Sequence, residues 1–191
     1  VLRKQRFDNH AINFETEEVK FKLDENSKPI GVYLKVQKEA NFLIEEMMLL
    51  ANRRVAEKIG KKSSKNKEIK TFVYRVHDEP IEDKLATFKN FVGKLGYDLQ
   101  AGNRKQFTES LNKMLEAAKE KNEYGLLGKL SVRIMARAIY TTDNIGHFGL
   151  AFPYYTHFTS PIRRYPDLMV HRLLDDYLNQ KPSANKVQFD E

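Results

Sequence analysis

The chain has 191 residues, 41% of them hydrophobic, no cysteine, and 33 lysines and arginines against 26 acidic residues, for a formal net charge of +7. That length and apolar share are enough to bury a core in one large or two small domains, which excludes a disordered chain. The missing cysteines exclude disulfides and thiolate metal sites and fit a reducing, cytoplasmic setting, while no apolar run approaches the roughly 18 residues that span a bilayer, so a soluble protein with no membrane role is expected.

Apolar and polar residues alternate over 10–23 and again over 30–36, with Asp24-Glu25-Asn26-Ser27-Lys28-Pro29 between them, which predicts an N-terminal β-hairpin. From Ala40 to Ile59, Leu43, Ile44, Met47, Leu50, Ala51, Val55 and Ile59 recur at intervals of three and four, the period of an amphipathic helix that Gly60 ends. Between Arg53 and Arg75 stand nine basic residues against Glu57 and Glu68, a window that equals the whole net charge. Such a stretch attracts phosphate backbones without sequence preference; the competing reading is a solvated lysine loop. Thr71 to Val76 reads as a short strand, and helices follow over 80–95, 105–120 and 126–140. Gly146 to Ala151 reads as one buried strand and Pro161 to Leu178 as a C-terminal helix. The expected class is mixed α+β.

The run from His157 to Asp167 concentrates the chemistry. Thr159 or Ser160 can cap a helix that Pro161 opens, and the free N–H groups of that first turn favour an anion. Arg163 and Arg164 add planar donors that grip phosphate bidentately, unless both pair with acidic neighbours. The histidines also raise a metal reading. Asp167 and His171 stand at i and i+4, with His147 and His157 flanking the preceding strand, but a structural hydrogen bond accounts for that spacing as well as a zinc ligand pair does.

Three segments stand in a fixed order: Ile44-Glu45-Glu46-Met47-Met48-Leu49-Leu50-Ala51-Asn52, then Tyr74-Arg75-Val76-His77-Asp78-Glu79-Pro80, then His147 through Ser160-Pro161-Ile162-Arg163-Arg164-Tyr165 to Arg172. This order closely resembles the catalytic (RNB) domain of the ribonuclease II and ribonuclease R family, nearest its bacterial ribonuclease R branch, and the resemblance covers essentially the whole chain. It implies a processive hydrolase that degrades single-stranded RNA from the 3′ end to nucleoside monophosphates, dependent on Mg²⁺ and expected to be monomeric. It also implies roles for residues. Arg163 matches the arginine beside the scissile phosphate, with Arg164, Ser160 and Tyr165 as neighbouring RNA contacts. Phe14 matches an aromatic platform for terminal bases, and Glu45 an acidic residue that selects ribose, a task suited to an acceptor for the 2′-hydroxyl. The bland alternatives are that Phe14 ends a strand in the core and that Glu45 salt-bridges an arginine.

The family's Mg²⁺-binding aspartate run, D-x-x-x-x-x-D-x-D-D in type, has no match here, although a hard cation requires such oxygen clustering. Asp175 and Asp176 diverge by about 100° around a helix and make a poor site. A second stacking tyrosine, a late glutamate and the flanking cold-shock and S1 domains are also unmatched. Val1 stands where an initiator methionine would, and the first methionine is Met47. Residues 1–191 therefore read as the C-terminal part of one catalytic domain, its metal ligands elsewhere and the isolated piece inactive. The alternative function is an inactive RNB-like regulator that binds RNA, and a third reading is a helical scaffold without an RNA role.

Overall fold

The computed structural model describes residues 1–14, 18–35, 37–62 and 68–189. Its elements run α1 (Leu2–Asp8), β1 (Glu18–Leu23), β2 (Pro29–Lys35), α2 (Glu39–Gly60), β3 (Tyr74–Val76), α3 (Glu82–Lys94), α4 (Arg104–Glu120), α5 (Tyr124–Ile134), β4 (Ile139–Thr141) and α6 (Tyr165–Leu178), then a 3₁₀ turn at Lys186–Phe189. The mixed α+β class is as expected. None of the described helices is long and apolar enough to cross a membrane.

β1 and β2 form an antiparallel hairpin in which Val19 faces Leu34 and Phe21 faces Val32. Asp24 sets the turn, its Oδ1 accepting the N–H groups of Asn26 at 2.9 Å and Lys28 at 2.8 Å. The strand begins at Glu18 rather than near His10, because the backbone at 11–13 is bonded elsewhere. Asn112 on α4 acts as a surrogate peptide, its Nδ2 donating to Ala11 O and its Oδ1 accepting from Asn13 N.

α2 is long because nothing between Glu39 and Ile59 breaks a helix, and its terminal Gly60 allows a close approach. A Cβ there would collide with the Tyr74 hydroxyl. α1 has no counterpart among the expected elements because its contact with α2 is ionic. Arg6, 8% exposed, donates from Nε and Nη2 to Glu46 Oε1 at 3.0 and 2.6 Å.

Two apolar cores result. One gathers α3, α4 and α5 around Leu111, Leu115 and Leu127, with Ile12 and Phe148; the other packs the end of α2 and the segment 72–76 against Val170 and Leu173 of α6. α4 is well delimited, since Asn103 Oδ1 accepts Gln106 N–H and Gln106 Oε1 accepts Asn103 N–H in a capping box.

Three expectations change. The helix expected over 126–140 starts at Tyr124 and stops at Ile134, because Ile139–Thr141 pairs antiparallel with β3, a partner that a β-branched and aromatic stretch satisfies better than helix. The strand expected at 146–151 is a turn with single-residue bridges from His147 to His77 and Phe152, since Gly146 and Ala151 both have left-handed backbone. The last helix begins at Tyr165 rather than Pro161.

Half-buried histidines tie these segments together. His77 Nε2 bonds Ala136 O at 3.0 Å while its Nδ1 accepts Gly149 N–H at 3.0 Å, which fixes a neutral tautomer. Burial, reinforced by His77 and Arg75, pushes His147 down to about 3, and burial with the Arg164 charge pushes His157 down to about 4. Each therefore takes up a proton on unfolding below its ordinary value near 6.5, so its contribution is complete above about pH 6.5 and is lost as pH falls toward 4 and below. The melting temperature should thus be lower at pH 4.5 than at pH 7, and His147→Gln should narrow that difference. In urea unfolding at pH 7, Leu111→Ala, at a fully buried site, should cost about 2–5 kcal/mol, whereas Val32→Ala on the exposed hairpin should change stability by less than about 0.5 kcal/mol.

Candidate nucleic-acid interface

The loop from Tyr155 to Arg164 is held against α2 and α6 by buried polar groups. Asn52 of α2, 3% exposed, uses Oδ1 to accept the consecutive N–H groups of Phe158 at 3.0 Å and Thr159 at 3.2 Å, and Nδ2 to donate to the Tyr155 hydroxyl at 3.1 Å. From α6, His171 Nε2 bonds Phe158 O at 2.8 Å, and its ring stacks on Phe158 with centroids 4.0 Å apart. Asp167, fully buried, accepts Ser160 N–H at 2.8 Å and both arms of Arg164, Nε at 2.7 Å and Nη2 at 3.0 Å. Burial pushes the Asp167 carboxyl up, but the Arg164 guanidinium and the Ser160 N–H outweigh it and hold it below the usual carboxylate range.

This geometry corrects the reading of the helix start. Neither Thr159 nor Ser160 caps α6: Arg164 occupies the N-cap and Pro166 lies in the first turn. The anion favoured at that positive helix end is the chain's own Asp167 carboxylate. Arg164 is consequently a brace, as a pairing with acidic neighbours would have it. Arg163 is exposed and makes no side-chain hydrogen bond or ion pair among the described residues, and it stands in a displayed strip with Ile162 and Tyr165. The turn that presents it closes with the N–H groups of Arg163 and Arg164 on Ser160 O.

A pocket of about 300 Å³ opens between α2 and this loop, lined by Asn41, Glu45, Asn52, Tyr155, His157 and Arg164 along with the apolar side chains of Ile44, Met48 and Leu49. Glu45 and Asn52 are seven residues apart, two turns on one helix face, so α2 sets the spacing between pocket wall and loop. Glu45 Oε1 accepts from Arg6 Nη2 at 3.2 Å, and its side chain stays 43% exposed. Phe14 is half-buried and packs against the α3–α5 core, as a core residue would. The pocket therefore collects Glu45 and Arg164, with Arg163 and Ser160 on the adjoining loop and Tyr165 at the start of α6, and it does not include Phe14 among its lining residues. The sequence does not pick out Asn52 as a site residue, and it raises His157 only as a metal candidate. Both stand inside recognised segments, and polar type at an otherwise apolar helical position was the available signal for Asn52.

Of the basic window, Lys65 and Lys67 lie outside the described residues. Arg53 and Arg54 both pair with Glu57, and Lys70 bonds Lys181 O. Among the described residues no group of three His, Asp or Glu side chains is placed to hold a metal ion. Asp167 and His171 do not form the expected mutual pair; the first binds Arg164 and Ser160, the second Phe158 O. The described residues do not fit a magnesium site.

Comparison with known proteins places the chain in a family. A family profile described as RNB domain matches residues 1–180. Ribonuclease R of Vibrio cholerae is 39% identical over 97% of this chain and 22% of its own length. Among solved structures, Mycoplasma genitalium RNase R in complex with ribose methylated single-stranded RNA superposes with a TM-score of 0.78 at 32% identity, over 93% of this chain and 27% of that one. Yeast Ssd1, a pseudonuclease, reaches a TM-score of 0.63 at 28% identity over 80% of this chain and 18% of that one. The chain thus spans about a quarter of the length of such relatives, and with the braced arginine loop and the family profile extending over nearly all of it, it belongs to the RNB domain family.

Proposed function

We propose that these 191 residues are part of the catalytic domain of a hydrolytic 3′-to-5′ exoribonuclease acting on single-stranded RNA, with Arg163 as its phosphate clamp. The observation that carries the reading is the contrast between adjacent guanidiniums: Arg164 is locked on buried Asp167, while Arg163 is displayed without a protein partner among the described residues. A rigidly presented, permanently charged donor stabilises the charge that spreads over phosphate oxygens as a phosphodiester is cleaved, and pre-organisation removes the cost of reorienting it during reaction. Glu45 accepts a hydrogen bond from a ribose 2′-hydroxyl, Phe14 offers its exposed edge to bases, and Ser160 and Tyr165 flank the clamp. The Mg²⁺ ligands of such an enzyme, and its activity on a whole substrate, are assigned to residues outside this chain, and a monomeric, cytoplasmic protein is the state that suits the reading.

The likeness to yeast Ssd1, a pseudonuclease, favours one other reading, a relative that binds RNA without cleaving it. Release of nucleoside monophosphates from a labelled single strand separates the two. In the intact polypeptide that carries this chain, Arg163→Ala should lower turnover by about 10²–10³-fold while affinity for single-stranded RNA falls only several-fold; unchanged turnover would remove the assigned role.

A further inference from the structure

His157 lines the pocket between α2 and the arginine loop, and its two ring nitrogens have different fates. Nδ1 lies 2.6 Å from the Tyr140 hydroxyl of β4, whereas Nε2 has no protein partner among the described residues. The Tyr140 hydroxyl has no other acceptor among them, and the Arg75 guanidinium sits over its ring at 4.5 Å. Burial first, and then the charge of Arg164, keeps the imidazole neutral at pH 7. In a neutral imidazole one nitrogen accepts and the other donates. With Tyr140 donating to Nδ1, the proton stands on Nε2.

The pocket's contents suit a nucleotide unit. Its volume of about 300 Å³ is of that size, Ile44, Met48 and Leu49 give it an apolar wall, and Glu45 and His157 supply an acceptor and a donor. Building on the reading of this chain as an RNA-binding catalytic module, we infer that His157 is a direct substrate contact: its Nε2–H donates to a phosphate oxygen of the nucleotide seated in this pocket, held in that tautomer by Tyr140. An imidazole that donates without carrying charge adds direction to the contact and leaves the net electrostatics to the arginines, which suits a strand that must move on after each cut.

Side-chain isosteres separate this role from a structural one, because the amide of asparagine overlays Nδ1 and that of glutamine overlays Nε2. Binding of a fluorescent oligouridylate to the intact polypeptide, in EDTA to prevent cleavage, should weaken about tenfold for His157→Asn, which keeps only the Tyr140 side. It should stay within about twofold of the parent for His157→Gln, which keeps the pocket donor. A methylphosphonate at the contacted linkage should weaken the parent more than it weakens His157→Asn. Equal affinities for parent and both variants, or a greater loss in His157→Gln than in His157→Asn, would overturn the contact. A parent that binds and cleaves RNA in that case leaves the exoribonuclease reading standing; a parent that binds no RNA at either low or high salt removes both.

Discussion

The carboxylate of Asp167 is the point on which the arginine loop depends. It is fully buried and meets Ser160 N–H and the Arg164 fork at once, so one side chain ends the loop, fills the positive end of α6 and fixes the neighbouring guanidinium. Removing Arg164 would leave the buried Asp167 carboxylate without its counter-charge, a destabilising change. Arg163 needs no bond of its own to be well placed, because Ser160 before it and Arg164 after it are held by Asp167. The difference in role between two adjacent arginines follows from which of them Asp167 can reach.

α2 transmits this order to the rest of the site. Asn52 holds the loop backbone by two N–H groups, and Glu45 stands two turns earlier on the pocket wall. Glu46 takes up Arg6, which also reaches Glu45, and so docks α1 on the same helix. One helix therefore sets the distances among the arginine loop, the Glu45 carboxylate and the N-terminal segment, and its end is wedged against Tyr74 and the core around Phe72.

Much of this is legible in the sequence where apolar residues are periodic, whether that face is buried, as on α4, or exposed, as along the hairpin and at Leu43, Ile44 and Met47 of α2. The hairpin pattern, the α2 stripe and the α4 face all follow from side-chain spacing, and the ordered motifs point to the family. What is not legible rests on polar burial or on long-range pairing. α1 buries an arginine, so no apolar stripe marks it; β4 exists because β3 lies beside it; and Gly146 and Ala151 break the segment that reads as a strand. The start of α6 lies four residues beyond the expected one for a similar reason. Ser-Pro is a good local helix opener, but Asp167 draws Ser160 N–H into a turn and makes Arg164 the cap.

The central claim is that the loop is braced by Arg164 so that Arg163 can meet phosphate. The most direct measurement is a crystal structure of the intact polypeptide with a non-cleavable single-stranded RNA bound. The account predicts a phosphate oxygen within hydrogen-bonding distance of the Arg163 guanidinium, with Arg164 still forked on Asp167. A structure in which Arg164 leaves Asp167 to take the phosphate while Arg163 faces solvent would contradict it.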